Sequence, residues 1–215
     1  MAEESRPAGA QAVVRALRVL HCFRDHGPEL GATDIARILD LRTSTAHRLV
    51  RTLAAEGFLE QAPGTARYRL GASVAELGQV LYRQRGLHRA EPLLASLAEV
   101  TRTSPGLAVH SGRRAVVVVG GPADPESGLG VSIPLHASAM GKVLVAWNPD
   151  FDVADLGELP ALTPRTITDP RRLRAELERV RERGYALNDE EQALGKRTVA
   201  VPLAVNSLTM FALVG

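Results

Sequence analysis

Cysteine and long hydrophobic runs are almost absent from this sequence. Its one cysteine, Cys22, can form neither an internal disulfide nor a cysteine-based metal cluster. No apolar stretch approaches the roughly 18–20 residues that cross a bilayer. The polar, acidic N-terminus contains no basic segment followed by an apolar one, so it predicts no signal peptide. We therefore expect a cytoplasmic protein with no membrane partner.

Complete catalytic motifs are also missing. The pair Gly141-Lys142 is not a P-loop, because His136 and Val143 replace the glycine and the Ser or Thr that this loop needs. His136, Ser138 and Asp189 suggest a hydrolytic triad, but two of them lie only two residues apart and no nucleophile elbow is present. The residues thus favour a protein without catalytic residues.

Nucleotide and metal motifs are incomplete as well. The segment Gly128-Leu129-Gly130 lacks the third glycine of a dinucleotide-binding loop. The acidic run Asp189-Glu190-Glu191 has no histidine beside it, which favours a solvated or pocket-rim loop over a metal site. We expect no cofactor and no metal.

The composition is that of a globular protein. The chain has 215 residues, of which 45% are hydrophobic and 23% charged, so disorder along its whole length is excluded. This length fits one large domain or two small ones. Residues 1–71 contain ten arginines and eight acidic residues, whereas residues 72–215 contain sixteen of each sign. The excess positive charge indicates either a polyanionic partner for the first part or a small chance imbalance.

The first part of the chain shows the pattern of a small helical domain. Residues 1–10 are small and polar and predict a loose tail. Apolar residues from Gln11 to Asp25 have the spacing of an amphipathic helix. Thr33 is the predicted N-cap of a short helix that runs from Asp34 to Leu39.

A second helix follows a tight turn at residues 40–42. Thr43 is its predicted N-cap, and Gly57 ends it after Glu56 because glycine suits a left-handed C-terminal residue. Its apolar face consists of Ala46, Leu49, Val50 and Leu53. Its other face carries Ser44, Thr45, His47, Arg48, Arg51 and Thr52. Residues 58–61 and 67–70 then predict a β-hairpin, which completes the order of a winged helix-turn-helix.

The remaining residues predict a connector and a second domain. Val74, Leu77 and Leu81 form one apolar stripe on a helix that must pack on something, because it is too short to be stable alone. Another helix is predicted from Glu91 to Thr101. Beyond Pro105 the pattern alternates between strands and two helices, one capped by Ser138 and the other by Asp169. This part is predicted to be α+β.

Several blocks of the chain resemble the IclR family of bacterial transcription regulators. In the first third they are Asp34-Ile35-Ala36, Ser44 to Leu49 and Tyr68-Arg69-Leu70-Gly71. In the rest they are Leu135 to Lys142, Leu162 to Asp169, Arg183 to Ala186 and Asp189 to Glu191. The blocks are colinear over nearly the whole chain.

The resemblance implies an α+β protein of three parts. These are a winged helix-turn-helix domain at residues 11–71, a linker helix at 72–86 and a GAF-like α/β effector-binding domain at 87–215. It also implies two partners: a pseudo-palindromic double-stranded DNA operator, bound by a homodimer or homotetramer, and a small organic-acid or aromatic effector. The alternative function is an enzyme domain for a small acid, tethered to a DNA-binding module, which a turnover assay would detect.

The chain departs from the family pattern at two positions. Asn188 stands where the family usually has aspartate, and this loss of a negative charge favours an anionic ligand. The family also continues past the position of Gly215 with a serine-containing strand and a final helix. We therefore expect the effector-binding domain to lack its C-terminal end.

The DNA contacts are expected from the second helix of the motif and from the wing. In the major groove and on its flanking phosphates we expect Arg42, Thr43, Ser44, Thr45, His47, Arg48 and Arg51. From the wing we expect Thr65 and Arg67, unless the wing only covers the core. The dimer is expected to form through the stripe of the linker helix, together with the first helix.

The effector contacts are expected at the helix that Ser138 caps. Its first free N–H groups, at the positive end of the helix, suit an anion; they belong to Ala139, Met140 and Gly141. By resemblance, Asn188 and Thr198 lie opposite them. Val109 and Val117 are expected in the apolar wall, and the expected ligand bears a carboxylate. The alternative is that Ser138 is only a cap and that side chains fill the cavity.

Overall fold

The computed structural model describes residues 8–121, 130–205 and 208–214 and divides the chain into two compact units, residues 1–85 and 86–215. The expectations for residues 1–7 and for the chain end at Gly215 lie outside the described residues. Within the described residues, no helix is both long enough and apolar enough to cross a membrane.

The first unit is a helical domain with a small sheet. Its elements are α1 (Ala8–Asp25), β1 (Leu30–Gly31), α2 (Ala32–Ile38), α3 (Thr43–Ala55), β2 (Leu59–Gln61), β3 (Arg67–Leu70) and α4 (Ala72–Gln84). The three strands form an antiparallel sheet in the order β1-β3-β2. This is the predicted helix-turn-helix with a β-hairpin wing.

The core of this unit lies between α1, α2 and α3. It contains Val19, Cys22, Phe23, Leu30, Ala32, Ile35, Ala36, Ala46, Leu49, Val50, Leu53 and Leu59. The four predicted inner residues of α3 are all in it, because their spacing places them on one side of a helix. Burial raises the pKa of the Cys22 thiol, and the charge of Asp25 adds to this effect.

Helix starts in the first unit differ from the expected ones. α1 begins at Ala8, inside the stretch expected to be a loose tail. The N-cap of α2 is Gly31 instead of Thr33, because the Asp34 carboxylate accepts the Gly31 amide at 3.0 Å. The helix therefore begins at Ala32, one residue before Thr33. The N-cap of α3 is Arg42, and Thr43 is its first helical residue.

The second unit combines a six-stranded sheet with helices. Its regular elements are α5 (Ala90–Thr101), β4 (Gly106–Ser111), β5 (Arg114–Gly120), β6 (Ser132–Pro134), α6 (Ala139–Ala146), α7 (Pro170–Arg183), β7 (Ala186–Asp189), β8 (Arg197–Val205) and β9 (Leu208–Val214). Short 3-10 turns cover Leu87–Arg89 and Val153–Leu156. The strand order is β6-β5-β4-β9-β8-β7, with antiparallel pairs throughout.

Helix α6 is buried along its whole length among the core residues of the sheet and of α7. Its start requires Gly141, because a Cβ there would lie 2.6 Å from the Pro134 carbonyl oxygen and closer still to the Leu135 backbone. Helix α7 has the predicted ends: the Asp169 carboxylate accepts the Arg172 amide at 2.8 Å, and Gly184 ends the helix with φ of 83°.

Helix α5 buries only Leu94 fully. Leu93 and Val100 share the apolar spacing of Leu94 but are 71% and 83% exposed. The spacing of apolar residues on α5 therefore indicates more buried positions than the unit actually buries.

Candidate functional site

The outward face of α3 is a continuous polar surface. Ser44, His47, Arg48, Arg51, Thr52 and Ala55 line one open surface of this helix. Arg42, Thr43 and Ser44 at the start of the helix are also exposed, and Thr45 is half-buried. The structure therefore places seven of the nine predicted DNA contacts on or beside one helix surface.

Charge pairing distinguishes the arginines of α3 from those around the wing. In the described part of the chain, no carboxylate lies within ion-pair distance of Arg42, Arg48 or Arg51, whereas Arg67 and Arg69 are both paired. Unpaired guanidinium groups on one exposed face leave their positive charge available to phosphates and base edges.

The wing is attached to the helix-turn-helix by Arg67. Its guanidinium donates to the Glu29 carbonyl oxygen at 2.8 Å and lies 3.1 Å from an Asp34 carboxylate oxygen. The hydrogen bond from the Gly31 amide lowers the pKa of Asp34, and the charges of Arg67 and Arg37 lower it further. We call this arrangement the Asp34–Arg67 latch. Sequence reasoning missed this structural role, because Glu29 and Asp34 lie more than 30 residues before Arg67.

The other wing side chains are engaged locally. The Thr65 hydroxyl donates to the Ala62 carbonyl oxygen at 3.1 Å and accepts the Arg67 amide at 3.1 Å. Arg69 pairs with Glu60 on the neighbouring strand at 2.5 Å. Thr65 and about half of the Arg67 side chain nevertheless remain exposed.

The start of α6 offers fewer amides than expected. The Ser138 hydroxyl accepts the Gly141 amide at 3.0 Å and donates to the Pro134 carbonyl oxygen at 2.6 Å. The amides of Ala139 and Met140 remain as the donors of the first turn. Ser138 is therefore a satisfied cap, as the sequence predicts, and it removes Gly141 from the expected set of amide donors.

Asn188 and Thr198 are paired neighbours on β7 and β8. Both are buried, and Asn188 Nδ2 donates to Thr198 Oγ1 at 3.3 Å. Alternation along β7 puts Asn188 on the same face as Ala186, which belongs to the core around α6. The structure thus brings these two residues to the face of the sheet on which α6 packs.

The two predicted apolar wall residues are on opposite faces of the sheet. Val117 is opposite Ala108 and faces the core with α6, whereas Val109 is opposite Val116 on the other face. An irregularity at Leu107/Ala108 shifts the register, so a simple alternation count is wrong there. Val109 is therefore removed from the expected wall, and Val117 stays.

Comparison with known proteins gives the same two parts. Residues 12–63 match the family model of the IclR helix-turn-helix domain, and residues 78–209 match that of the bacterial transcriptional regulator IclR C-terminal domain. The chain belongs to the IclR family. The match to the C-terminal model alone covers more than half of the chain.

Individual IclR-family proteins agree with this assignment. The HTH-type transcriptional regulator XynR of Escherichia coli K12 is 35% identical over 90% of this chain and 80% of its own length. The crystal structure of an IclR-type regulator from a Silicibacter species matches with a TM-score of 0.85 and 28% identity, over 94% of this chain and 84% of that one.

An IclR homologue from Microbacterium hydrocarbonoxydans has been solved in complex with 4-hydroxybenzoate. It matches with a TM-score of 0.75 and 26% identity, over 95% of this chain and 88% of that one. The chain is accordingly a DNA-binding transcriptional regulator of the IclR family, with an N-terminal helix-turn-helix domain and a C-terminal α/β domain.

Proposed function

We propose that this regulator binds a pseudo-palindromic operator through α3 and that a small carboxylate-bearing effector modulates the binding. The observation that carries the DNA-binding part is the exposed face of α3, whose arginines have no acidic partner among the described residues. Ser44, Thr45, His47 and Arg48 approach base edges, and Arg42, Thr43 and Arg51 approach the flanking phosphates.

Replacement of Arg48 by alanine tests the base contacts. Duplexes selected from a random pool by the parent protein supply the operator. Loss of a bidentate contact to a base costs about 1–3 kcal/mol, and this cost falls on the selected duplex more than on random DNA. If Arg48→Ala binds the selected duplex as tightly as the parent does, then α3 does not read bases with this residue.

The wing contributes contacts to the DNA backbone or minor groove. Thr65 lies at its exposed turn, and Arg67 has its Nη1 without a hydrogen bond to any described residue. Hydroxyl-radical footprinting should show protection beyond the bases that α3 covers. Protection confined to the major-groove contacts would leave the wing as a cover for the core.

The operator-bound form is a dimer that pairs through α4 and α1. In the single chain, Leu77 and Leu81 of α4 are 57% and 42% exposed, and Val13 and Leu17 of α1 are also exposed. Two-fold pairing supplies the second half-site that a single winged helix cannot read. A tetramer would add a second pair of half-sites.

Light scattering at micromolar concentration tests the pairing. Leu77→Glu should lower the mass toward that of a monomer, because it puts a charge into the apolar contact. Leu194→Glu, a control at another exposed leucine, should leave the mass unchanged. A parent protein that is strictly monomeric would contradict the dimer.

The effector binds between the start of α6 and the pair Asn188 and Thr198. The amides of Ala139 and Met140 at the positive helix end favour a carboxylate, and Val117 adds apolar surface. A related regulator is solved with 4-hydroxybenzoate, an aromatic acid, which supports a carboxylate-bearing ligand here. A thermal-shift screen in which neutral ligands stabilise the protein and no carboxylate does would overturn this site.

The C-terminal domain is proposed to bind its ligand without converting it. The matched relatives are transcriptional regulators, and the sequence carries no complete catalytic motif. Turnover of any of the small acids in a steady-state assay would favour the enzymatic alternative.

A further inference from the structure

A buried ion pair joins α6 to the loop between β7 and β8. Lys142 is 1% exposed, and its ammonium lies 2.5 Å from Glu191 Oε1. The other carboxylate oxygen of Glu191 is buried and has no hydrogen-bond partner among the described residues. Lys142 is therefore the group that compensates this buried carboxylate, because a charge removed from water needs a partner.

The same loop is held through its backbone by the segment before α7. The Thr163 hydroxyl donates to the Glu190 carbonyl oxygen at 2.7 Å, and the Thr166 hydroxyl donates to the Glu191 carbonyl oxygen at 2.6 Å. The side chain of Glu191, in contrast, is held by Lys142. Two different elements thus fix one short segment from two sides.

The position of this loop determines which way the Asn188 amide points. Asn188 Oδ1 accepts the amides of Glu191 at 2.9 Å and of Gln192 at 3.2 Å. Two N–H donors on one side oblige the oxygen to lie there, so Nδ2 lies on the other side, where it donates to Thr198. Thr198 uses one of the two N–H groups of Asn188 Nδ2, which leaves one N–H for the proposed effector, and an N–H donor suits a carboxylate.

We propose that Lys142 is a positioning residue for the effector site. It does not touch the ligand; through Glu191 it holds the loop amides that orient Asn188. This inference rests on the proposed function, in which Asn188 contacts the effector.

Hydrogen exchange of the full chain tests the role of Lys142 without an effector. In Lys142→Met, the amides of Glu191 and Gln192 should exchange about tenfold faster relative to those of Leu177 and Val180 in α7. Lys196→Met is the matched control, because Lys196 lies in the same loop and its ammonium has no ion pair with a described residue. In that control the ratio should stay at the parent value.

Two further measurements keep the test decisive. If Lys142→Met does not fold, Glu191→Gln, which keeps the side-chain shape, should raise the same exchange ratio by a smaller factor. For any acid among acetate, pyruvate and 4-hydroxybenzoate that stabilises the parent, Lys142→Met should weaken binding at least fivefold, and Lys196→Met should not.

The outcomes separate the two proposals. Exchange that accelerates equally across α7 and the loop, or does not accelerate at all, would overturn the positioning role of Lys142. If none of the acids binds the parent, the proposed effector class fails, while the exchange ratio still decides whether Lys142 holds the loop.

Discussion

Arg51 offers a test of the DNA-binding face that needs no knowledge of the operator. The residue is exposed on α3, beside Arg48, and no carboxylate among the described residues pairs with it. Each phosphate that a protein neutralises contributes about −0.9 to the slope of log affinity against log salt on duplex DNA. Arg51→Ala should therefore make the slope shallower by about 0.9.

The same reasoning gives a fold change. A slope difference of about 0.9 changes the ratio of parent affinity to Arg51→Ala affinity. This ratio should become about 3.5-fold smaller when salt rises from about 50 to about 200 mM. Fluorescence anisotropy with a labelled duplex of arbitrary sequence measures the affinities of the parent protein and of Arg51→Ala across this range. Because the contact is to the backbone, duplexes of different sequence should show the same loss.

Arg171→Ala is the matched control for this experiment. Arg171 is exposed on α7 and has no ion pair with a described residue, so its removal lowers the net charge equally. The control should leave the slope unchanged. An unchanged slope for Arg51→Ala, or an equal flattening in both variants, would refute the placement of Arg51 on a phosphate.

Two further predictions concern the parts that support these sites. Asp34→Asn removes the Asp34–Arg67 latch. Because folding lowers the pKa of Asp34, its carboxylate stabilises the folded protein fully above the ordinary Asp pKa of about 3.9. This stabilisation is lost as pH falls through the folded pKa. In urea unfolding, the stability gap between parent and Asp34→Asn should therefore close below pH of about 4, and a gap that widens in acid would contradict the latch. Gly141→Ala should destabilise the second unit by about 3 kcal/mol, because its Cβ meets the Pro134 and Leu135 backbone. Gly78→Ala, in open space on α4, should instead stabilise its helix by about 0.5–1 kcal/mol in the same assay; equal effects at both glycines would refute the packing argument for Gly141.

Local patterns were sufficient to predict most helices and the exposed side of α3. The spacing of Leu49, Val50 and Leu53 defines the buried side of α3 and therefore its exposed side. Gly57 ends this helix with φ of 73°, and Ser138 caps α6 through its hydroxyl. Each of these features depends on residues within about one helical turn, so the sequence alone contains the information.

Features that depend on strand register were decided only by the tertiary structure. β1 has two residues, too few to carry a periodic signal, and it exists because Leu30 and Gly31 pair with β3. The alternation of residues along β4 predicts that Val109 faces the core. The irregularity beside Ala108 instead places Val109 on the other face of the sheet. Strand faces are set by the partner strand as well as by local alternation, so a single shift in pairing reverses them.

The buried ion pair between Lys142 and Glu191 is also non-local. Lys142 and Glu191 lie 49 positions apart, and neither has a neighbouring residue that predicts the pair. Only the packing of α6 against the sheet brings them into contact and excludes water from both. The sequence by itself thus specified the family, the buried side of α3 and the caps of α6 and α7, because these follow from short-range geometry. The tertiary structure decided which polar side chains are buried together, since burial and charge pairing arise only when distant segments meet.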